Sequence, residues 1–305
     1  MTRKDFSDKV ILITGASDGI GKETAVGLAK MNPKMIILAC RESDKAKRSN
    51  ELVCSYTNAL LEYMDLADLS TVKACVDRLV NQNITIDVLI NNAGVLTNHK
   101  SLTKDGFEIQ FGTNYLGHFY FTELLIAKKI INKDARIIQL SSHAMLFGRI
   151  AFEDIMFEKR SYSGWKAYTQ SKLANVVYAN YLHRQGFNTY SVHPGMVRTN
   201  FAKKHSFYLL DIIFYPIFYL LSNSPAQGAQ TSIFLASTDQ PSGLYWMNCK
   251  PFNLFKSKQS QDESVQNQLY VYSQNAVYSA TGSASLDSSS SSSDNPISPS
   301  SSEEI

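Results

Sequence analysis

The sequence lacks the residue patterns that mark metal-binding and disulfide-rich proteins. Its few cysteines show neither C-x-x-C spacing nor a pairing with histidine, so neither a zinc site nor a disulfide framework is indicated. We expect no metal, and this cysteine usage favours a reducing compartment. The cysteines are Cys40, Cys54, Cys75 and Cys249.

Strong net charge and a membrane-spanning run are missing as well. Lys and Arg number 30 against 27 Asp and Glu, a net charge of +3, which is too small and too dispersed to indicate nucleic acid binding. The most apolar stretch, residues 207–221, is shorter than the ~20 residues that span a bilayer and contains Asp211 and Pro216. Residues 1–10 are polar and leave no room for a signal peptide. We predict a cytoplasmic protein with a small-molecule partner; contact with a membrane surface stays open.

Short apolar runs alternate with longer amphipathic segments along the chain. Near-continuous aliphatic and β-branched runs are typical of strands covered on both faces by helices. They predict strands at residues 10–13, 35–39, 88–90, 136–140 and 189–192. Helical length and spacing mark residues 21–31, 69–80, 106–131 and 164–185. We predict an α/β fold with a doubly wound parallel sheet of Rossmann type, with about seven strands.

The composition changes near residue 279. Residues 279–305 are rich in serine and almost free of large apolar side chains, so they cannot offset the entropy lost on ordering. Residues 262–272, with acids at the start and apolar positions at helical spacing, predict a last packed helix. We therefore predict one domain over residues 1–278 and a disordered tail over residues 279–305.

A glycine-rich turn, TGASDGIG at residues 14–21, follows the first predicted strand. Backbone N–H groups and the dipole at the start of a helix favour an anionic pyrophosphate. Gly15, Gly19 and Gly21 would let backbone and ligand approach closely. The spacing G-x-x-x-G-x-G differs from the commoner dinucleotide fingerprint G-x-G-x-x-G, and a tight corner between strand and helix is the alternative.

A basic residue, Arg41, stands where NAD sites usually carry an acid, at the end of the second predicted strand. Together with Lys22 behind the glycine turn, Arg41 favours the 2′-phosphate of NADP. Glu42 is adjacent, and exposed basic residues are often only solvated. We predict NADP(H), with NAD(H) the less favoured cofactor.

Tyr168 and Lys172 lie one helical turn apart in a segment of good helical periodicity. Residues four apart share a helix face, and a neighbouring ammonium favours the phenolate of a group whose pKa is ordinarily ~10. A second Tyr-x-x-x-Lys, from Tyr162 to Lys166, contains Gly164 and lacks an established helical pattern. We interpret Tyr168 as a proton-transfer group that works beside a nicotinamide.

Ser142 follows the predicted strand 136–140, at the edge where strand ends line a ligand crevice. A hydroxyl there would hold the substrate oxygen as charge develops on it. Ser141 is the close rival, and a Ser-Ser pair after a strand is otherwise a turn.

These motifs together resemble the short-chain dehydrogenase/reductase family, and more closely its retinol-dehydrogenase-like branch, which includes WW-domain oxidoreductases. The resemblance runs from Lys9 to about Gln274. The matching segments are TGASDGIGKETA, LACR, MDLADLSTV, NNAG, LTKDGFE, NYLGHFY, LSSHA, YTQSKLAN, HPGMVRT and SGLYWMNC.

The resemblance implies an NAD(P)-dependent oxidoreductase acting on CH–OH groups, with roles assigned by position. Tyr168 would be the acid/base, Lys172 would lower its pKa and bind the nicotinamide ribose, and Ser142 would orient the substrate oxygen. Asn114 would hold a water that connects Lys172 to solvent. The implied cofactor contacts, beyond Tyr168 and Lys172, are Gly15, Ser17, Gly19, Ile20, Gly21, Lys22, Arg41, Asp65, Asn91, Ala93, Gly94, Pro194, Gly195 and Thr199.

Residues 201–221 follow Thr199, where the family places a mobile substrate flap. Their aromatic and aliphatic content favours a retinoid-, steroid- or lipid-like alcohol and its aldehyde or ketone, with a buried helix pair or membrane contact as alternatives. A nucleotide-sensing interaction protein and an isomerase or lyase are rival functions. By family analogy we expect a homo-oligomer, with the predicted helices 106–131 and 164–185 as candidate faces.

Overall fold

The computed structural model describes residues 6–195, 197, 223–252 and 257–282. The described residues form eight strands in one sheet. The strands are β1 (Val10–Thr14), β2 (Met35–Cys40), β3 (Ala59–Tyr63), β4 (Val88–Asn91), β5 (Arg136–Leu140), β6 (Asn188–His193), β7 (Leu244–Met247) and β8 (Lys250–Pro251).

Helices connect the strands and cover both faces of the sheet. They are α1 (Gly19–Ala29), α2 (Asp44–Cys54), α3 (Leu69–Asn81), α4 (Ile109–Phe111), α5 (Gly117–Ala127), α6 (Gly164–Arg184), α7 (Pro225–Ser237), α8 (Lys258–Gln261) and α9 (Glu263–Thr281). A π turn, Gly112–Leu116, joins α4 to α5, and a 3₁₀ helix, His143–Phe147, follows β5.

The strand order is β3-β2-β1-β4-β5-β6-β7-β8. The strands from β3 to β7 pair in parallel, and the short β8 is antiparallel to β7. The order reverses between β1 and β4, and in open α/β sheets a ligand crevice opens outside the strand ends at such a point. The predicted doubly wound sheet is therefore confirmed.

Two apolar layers enclose the sheet. The layer on one face joins the strands to α1, α2 and α7, and the layer on the other joins them to α3, α5, α6 and α9. Strand β1 is buried along its whole length, as its uninterrupted apolar sequence predicts for a strand covered on both sides. Strands β3, β7 and β8 were not identified from the sequence. In β3 the charged Glu62 interrupts the apolar run, and its buried carboxylate is paired with Arg78, whose Nε donates to it at 2.7 Å.

The helix predicted over residues 106–131 is wrong at both ends. Gly106 has φ +87° and belongs to a turn. The helix begins only after Glu108, whose carboxylate accepts hydrogen bonds from the backbone N–H groups of Gln110 and Phe111 and so ends the turn. At the other end, α5 stops at Ala127, and Lys129 has φ +57°, which is incompatible with continued helix.

The last helix is longer than its sequence pattern indicated. It runs through Thr281 and ends at Gly282, which has φ +63°. Residues 279–281 are thus helical, beyond the boundary predicted at residue 278. The rest of the predicted disordered tail, from residue 283, lies outside the described residues.

Helix α9 lies across α5 and α6, the helices expected to offer oligomer faces. Tyr270 stacks on Tyr181 at 4.2 Å between ring centroids, and its ring lies 5.6 Å from that of Phe119. The Tyr115 hydroxyl lies 2.7 Å from Ser273 Oγ. These parts of the α5 and α6 surfaces are covered within the chain. Among the described residues, no helix combines the length and apolar character needed to cross a membrane.

Candidate active site

A crevice of about 1180 Å³ opens at the carboxyl ends of the central strands. It collects residues from distant parts of the sequence, including the glycine turn, the end of β2, the segment after β4 and the first half of α6. The predicted site residues that line it are Gly15, Ser17, Gly19, Ile20, Gly21, Arg41, Asp65, Ala93, Gly94, Ser142, Tyr168, Lys172, Pro194 and Gly195.

Three of the described predicted residues stand apart from this lining. Lys22, on α1, is not part of the crevice wall. Asn91 is buried and its Nδ2 donates to Thr122 Oγ1 at 3.0 Å, while the next residue, Asn92, lines the crevice. Asn114 lies beneath the wall, with its side chain fully buried. Thr199, like the predicted flap at residues 201–221, lies outside the described residues.

The glycine turn is built for close backbone approach. Gly15 has φ +67°, and a Cβ there would lie 2.9 Å from Ala93 Cα. A Cβ on Gly21 would lie 2.5 Å from the Gly15 carbonyl oxygen. Side chains are thus excluded at both positions, and the amide groups at the start of α1 border the crevice beside Gly19. This arrangement fits a pyrophosphate, because the first amide groups of a helix lack partners within the helix.

Thr14 anchors the segment after β4 to the glycine turn. Its Oγ1 accepts hydrogen bonds from the backbone N–H groups of Asn92 (2.9 Å) and Ala93 (3.0 Å) and lies 2.8 Å from His118 Nε2. With both acceptor positions of the hydroxyl in use, its proton is donated to His118 Nε2.

His118 carries its own proton on Nδ1, which donates to the Asn114 carbonyl oxygen at 3.0 Å. Burial lowers the pKa of His118 to about 4; the hydrogen bond to Asn114 opposes this shift, and Lys172 adds to it. The ring is therefore neutral at pH 7 and links the glycine turn to the π turn. The sequence offered no sign of this role, because an isolated histidine is usually structural or exposed.

Tyr168 and Ser142 meet at the end of the crevice that β5 and α6 form. Burial raises the pKa of Tyr168 to about 12, and a hydrogen bond with the Ser142 side chain opposes this. Burial lowers the pKa of Lys172 to about 8. Its Nζ donates to the Leu140 carbonyl oxygen at 3.1 Å and lies 5.8 Å from the centroid of the Tyr168 ring. Burial is thus the largest effect on the pKa of Tyr168 in this structure, and the lowering of that pKa by Lys172 stays a prediction.

The geometry separates the two serines that the sequence left as rivals. Ser141 Oγ donates to the Lys172 carbonyl oxygen at 2.7 Å, so its proton serves to hold α6 against β5. Ser142 Oγ accepts from the Ala144 N–H at 3.2 Å, which starts the 3₁₀ helix, and it also contacts Tyr168. Of the two serines, Ser142 is therefore the one whose hydroxyl contacts Tyr168 in the crevice.

Asn114 braces the opposite wall. Its Oδ1 accepts from the Val95 N–H at 2.6 Å, and its Nδ2 donates to the Val95 carbonyl and to Ser171 Oγ, both at 3.0 Å. A Cβ on Gly94 would lie 3.2 Å from Asn114 Oδ1 and 3.5 Å from Lys172 Nζ. Because Gly94 has no side chain, a space is left between the side-chain amide of Asn114 and the ammonium of Lys172.

The end of the crevice beside β2, where the sequence predicts the adenosine of the cofactor and which we call the adenosine end, carries charge of both signs. Arg41, Glu42 and Lys45 line it, together with Asp18 of the glycine turn. Lys45 Nζ lies 2.6 Å from Asp18 Oδ2, with both side chains about half exposed. Lys45 was not identified from the sequence, because it lies on α2 rather than at the end of β2.

Comparison with known proteins gives a consistent assignment. The short chain dehydrogenase family matches residues 9–207. Human retinol dehydrogenase 13 is 36% identical over 285 residues, covering 88% of this chain and 84% of that protein. Mouse retinol dehydrogenase 12 is 38% identical over 259 residues, covering 82% and 80%.

Among solved structures, an uncharacterized protein from Mycobacterium paratuberculosis superimposes with a TM-score of 0.72 at 30% identity, covering 90% of this chain and 95% of that one. The nicotinamide-binding fold, the lined crevice and these similarities agree with the resemblance found in the sequence motifs. The chain belongs to the short chain dehydrogenase family and is a retinol dehydrogenase-like, NAD(P)-dependent oxidoreductase acting on CH–OH groups.

Proposed function

We propose that the protein is an NADP(H)-dependent oxidoreductase that interconverts an apolar, retinoid-, steroid- or lipid-like alcohol and its aldehyde or ketone, with Tyr168 as the acid/base. The observation that carries this proposal is the contact between Ser142 and Tyr168, one helical turn from the buried Lys172, in the crevice that also holds the glycine turn. Proton transfer requires a group of residues such as Ser142, Tyr168 and Lys172. A crevice that only binds a nucleotide does not require them.

The protein's own residues supply the acid and the oxygen-binding group. In reduction, Tyr168 donates its proton to the carbonyl oxygen while the Ser142 hydroxyl holds that oxygen. In oxidation, Tyr168 first gives up its own proton toward Lys172 and then, as the phenolate, accepts the proton of the alcohol. When bound beside these residues, a nicotinamide cofactor would supply or take up the hydride at the substrate carbon. The pKa of about 12 keeps Tyr168 protonated at neutral pH and suits it to the donor role.

Lys172 and Asn114 support the return of the proton. The pKa of about 8 lets Lys172 hold or release a proton near neutral pH. The space above Gly94 lies between Lys172 Nζ and Asn114 Oδ1 and is bordered by polar atoms, as a bridging water requires. Asn114 is a positioning residue here, because its amide is already bound on both sides to Val95.

The preference for NADP(H) is supported by the bases at the adenosine end. Arg41 and Lys45 both line the crevice there. A 2′-phosphate gains charge-assisted hydrogen bonds from such groups, whereas the ribose hydroxyl of NAD prefers a carboxylate. Glu42 lies in the same wall and could accept from the ribose hydroxyl of NAD. We therefore expect NADP(H) to bind more tightly than NAD(H) rather than to bind exclusively.

Two exposed aromatic side chains support an apolar substrate. The Trp165 ring is 52% exposed and its centroid lies 6.3 Å from that of Tyr168, one turn later on α6. Phe147 is 77% exposed at the end of the 3₁₀ helix that Ser142 begins. Large exposed aromatic groups are typical of surfaces that an apolar ligand covers. The two relatives named above are retinol dehydrogenases, which favours the same class.

The test is the oxidation of NADPH by the purified protein with all-trans-retinal, long aliphatic aldehydes and steroid ketones. We expect turnover with at least one of these and loss of about 10³-fold or more in Tyr168→Phe. Tyr162→Phe, in the second Tyr-x-x-x-Lys, is the matched control and keeps its turnover. Inactivity on the whole panel with tight NADPH binding would instead favour a nucleotide-sensing interaction protein.

A further inference from the structure

Tyr245 of β7 lies directly behind the catalytic crevice. It is buried, with 8% of its surface exposed. Its hydroxyl hydrogen-bonds with the Ser141 side chain and lies 3.4 Å from His143 Nδ1. Tyr168 is close enough to raise the pKa of Tyr245 electrostatically, after the larger effect of burial. The Tyr245 phenol is therefore a neutral hydrogen-bonding group at every pH at which the protein is used.

Ser141 and His143 are the two chain neighbours of Ser142, and each has a second anchor. Ser141 Oγ donates to the Lys172 carbonyl on α6. The His143 N–H donates to His193 Nδ1 at 3.3 Å, and the two imidazole rings lie 4.0 Å apart between centroids. Phe252 closes the group with its ring 4.6 Å from that of His143. Tyr245 thus contacts the residues on both sides of Ser142 without lying beside it in sequence.

We propose that Tyr245 is a positioning residue of the reaction: by holding Ser141 and His143 together, it keeps the Ser142 hydroxyl directed at Tyr168 and the substrate oxygen. Ser142 follows a strand and starts a short 3₁₀ helix, whose hydrogen-bond geometry is poorer than that of an α-helix and holds the backbone less firmly. Fixing the residues before and after it restricts its φ and ψ. Small misplacements of such a hydroxyl are costly to rate.

His143 has a supporting part in this arrangement. It faces His193 of β6, Tyr245 of β7 and Phe252, and burial lowers its pKa. Its ring is therefore neutral near pH 7. Because Ser141 Oγ gives its own proton to the Lys172 carbonyl, the Tyr245 hydroxyl donates to Ser141, and the His143 tautomer protonated on Nδ1 donates to the Tyr245 oxygen. Burial, followed by the proximity of His143, likewise lowers the pKa of His193 to about 3, so its Nδ1 stays an acceptor for the His143 N–H.

The test is Tyr245→Phe, which removes the hydroxyl and keeps the ring. This role rests on the proposed oxidoreductase function, so turnover is measured first in the wild type. We expect kcat to fall about tenfold while the KM and Kd for NADPH change less than about twofold. Tyr190→Phe on the neighbouring β6 is the matched control, because its buried hydroxyl bonds the Gln240 carbonyl instead, and its kcat stays unchanged.

A double-mutant cycle separates positioning from general destabilisation. Ser142→Ala removes the hydroxyl that Tyr245 is proposed to position. In this background we therefore expect Tyr245→Phe to lower kcat by less than a further factor of about two. Equal tenfold losses in both backgrounds, or a kcat unaffected by Tyr245→Phe, would overturn the role assigned to Tyr245.

Amide hydrogen exchange over residues 141–147 gives a readout that needs no turnover. We expect exchange there to accelerate about tenfold in Tyr245→Phe and to stay unchanged in Tyr190→Phe. Unchanged exchange in Tyr245→Phe rejects the positioning role even if the enzyme is active. If the wild type shows no turnover while exchange accelerates in Tyr245→Phe, the proposed function is rejected. The conclusion that Tyr245 holds the segment around Ser142 in place would remain valid.

Discussion

The ammonium of Lys45 lies 2.6 Å from the carboxylate of Asp18, across the adenosine end of the crevice. Asp18 also caps α1 by accepting from the Gly19 N–H at 2.8 Å. Asp18 of the glycine turn is thereby paired with Lys45 of α2. A 2′-phosphate bound at this place would compete with Asp18 for the Lys45 ammonium.

The first prediction concerns cofactor choice. We expect Lys45→Ala to weaken NADPH binding about tenfold, because a charge-assisted hydrogen bond to the 2′-phosphate is lost. Binding of NADH should change little. Fluorescence titration with each cofactor measures both constants. The control is Lys47→Ala, on the exposed side of α2, and equal losses for NADPH and NADH in Lys45→Ala would contradict the assignment.

The second prediction concerns the space above Gly94. In Gly94→Ala the new methyl group would lie 3.2 Å from Asn114 Oδ1 and 3.5 Å from Lys172 Nζ, where the proposed water connects them. We expect kcat to fall about tenfold with a smaller change in NADPH affinity. Steady-state kinetics with a parallel NADPH titration checks this. A variant that loses cofactor affinity and keeps its kcat would show that Gly94 serves only the cofactor.

The third prediction is a pH dependence of stability. The pKa of His118 is lowered by burial to about 4 in the folded protein, against ~6.5 in an unfolded chain. The folded state therefore takes up this proton less readily than the unfolded state. The stability that His118 contributes is present above pH ~6.5 and is lost as the pH falls toward 4, by about 3 kcal/mol in total.

Urea unfolding between pH 7 and pH 4.5 measures this loss. His118→Asn keeps a side-chain donor for the Asn114 carbonyl and removes the titration, so we expect a flatter dependence on pH. His193 remains in both proteins and contributes the same slope to each. Parallel curves for the two proteins would show that His118 does not carry the effect.

The fourth prediction concerns the attachment of α9. The Glu123 carboxylate of α5 accepts from Tyr178 of α6 at 2.6 Å and from Tyr270 of α9 at 3.1 Å. We expect Tyr270→Phe to destabilise the fold by about 1–2 kcal/mol, because a buried carboxylate loses a donor. Thermal unfolding measures the effect, and Tyr56→Phe, whose ring is exposed, is the control. A melting temperature equal to that of the control would contradict a structural role for this bond.

Local patterns predicted the parts of the fold whose interactions are local or strictly periodic. The apolar runs of β1, β2, β4, β5 and β6 correspond to the observed strands, and α6 begins and ends within one residue of its prediction. Strand β7 was missed because it is short and mixes aromatic with aliphatic residues, although Tyr245 and Trp246 become buried. The helix over residues 106–131 was drawn too long, because the capping role of Glu108 depends on which backbone N–H groups it meets.

The same division holds in the candidate site. The sequence by itself determined the glycine turn and the placement of Tyr168 and Lys172 on one helix face, because these depend on spacing within one or two helical turns. Only the tertiary structure decided that Ser142 rather than Ser141 meets Tyr168, and that His118, Lys45 and Tyr245 border the site. Tyr245 and His143 are 102 positions apart. Their meeting follows from the pairing of β5, β6 and β7 in one sheet, and strand order is set by burial of the whole sheet rather than by any short stretch of sequence.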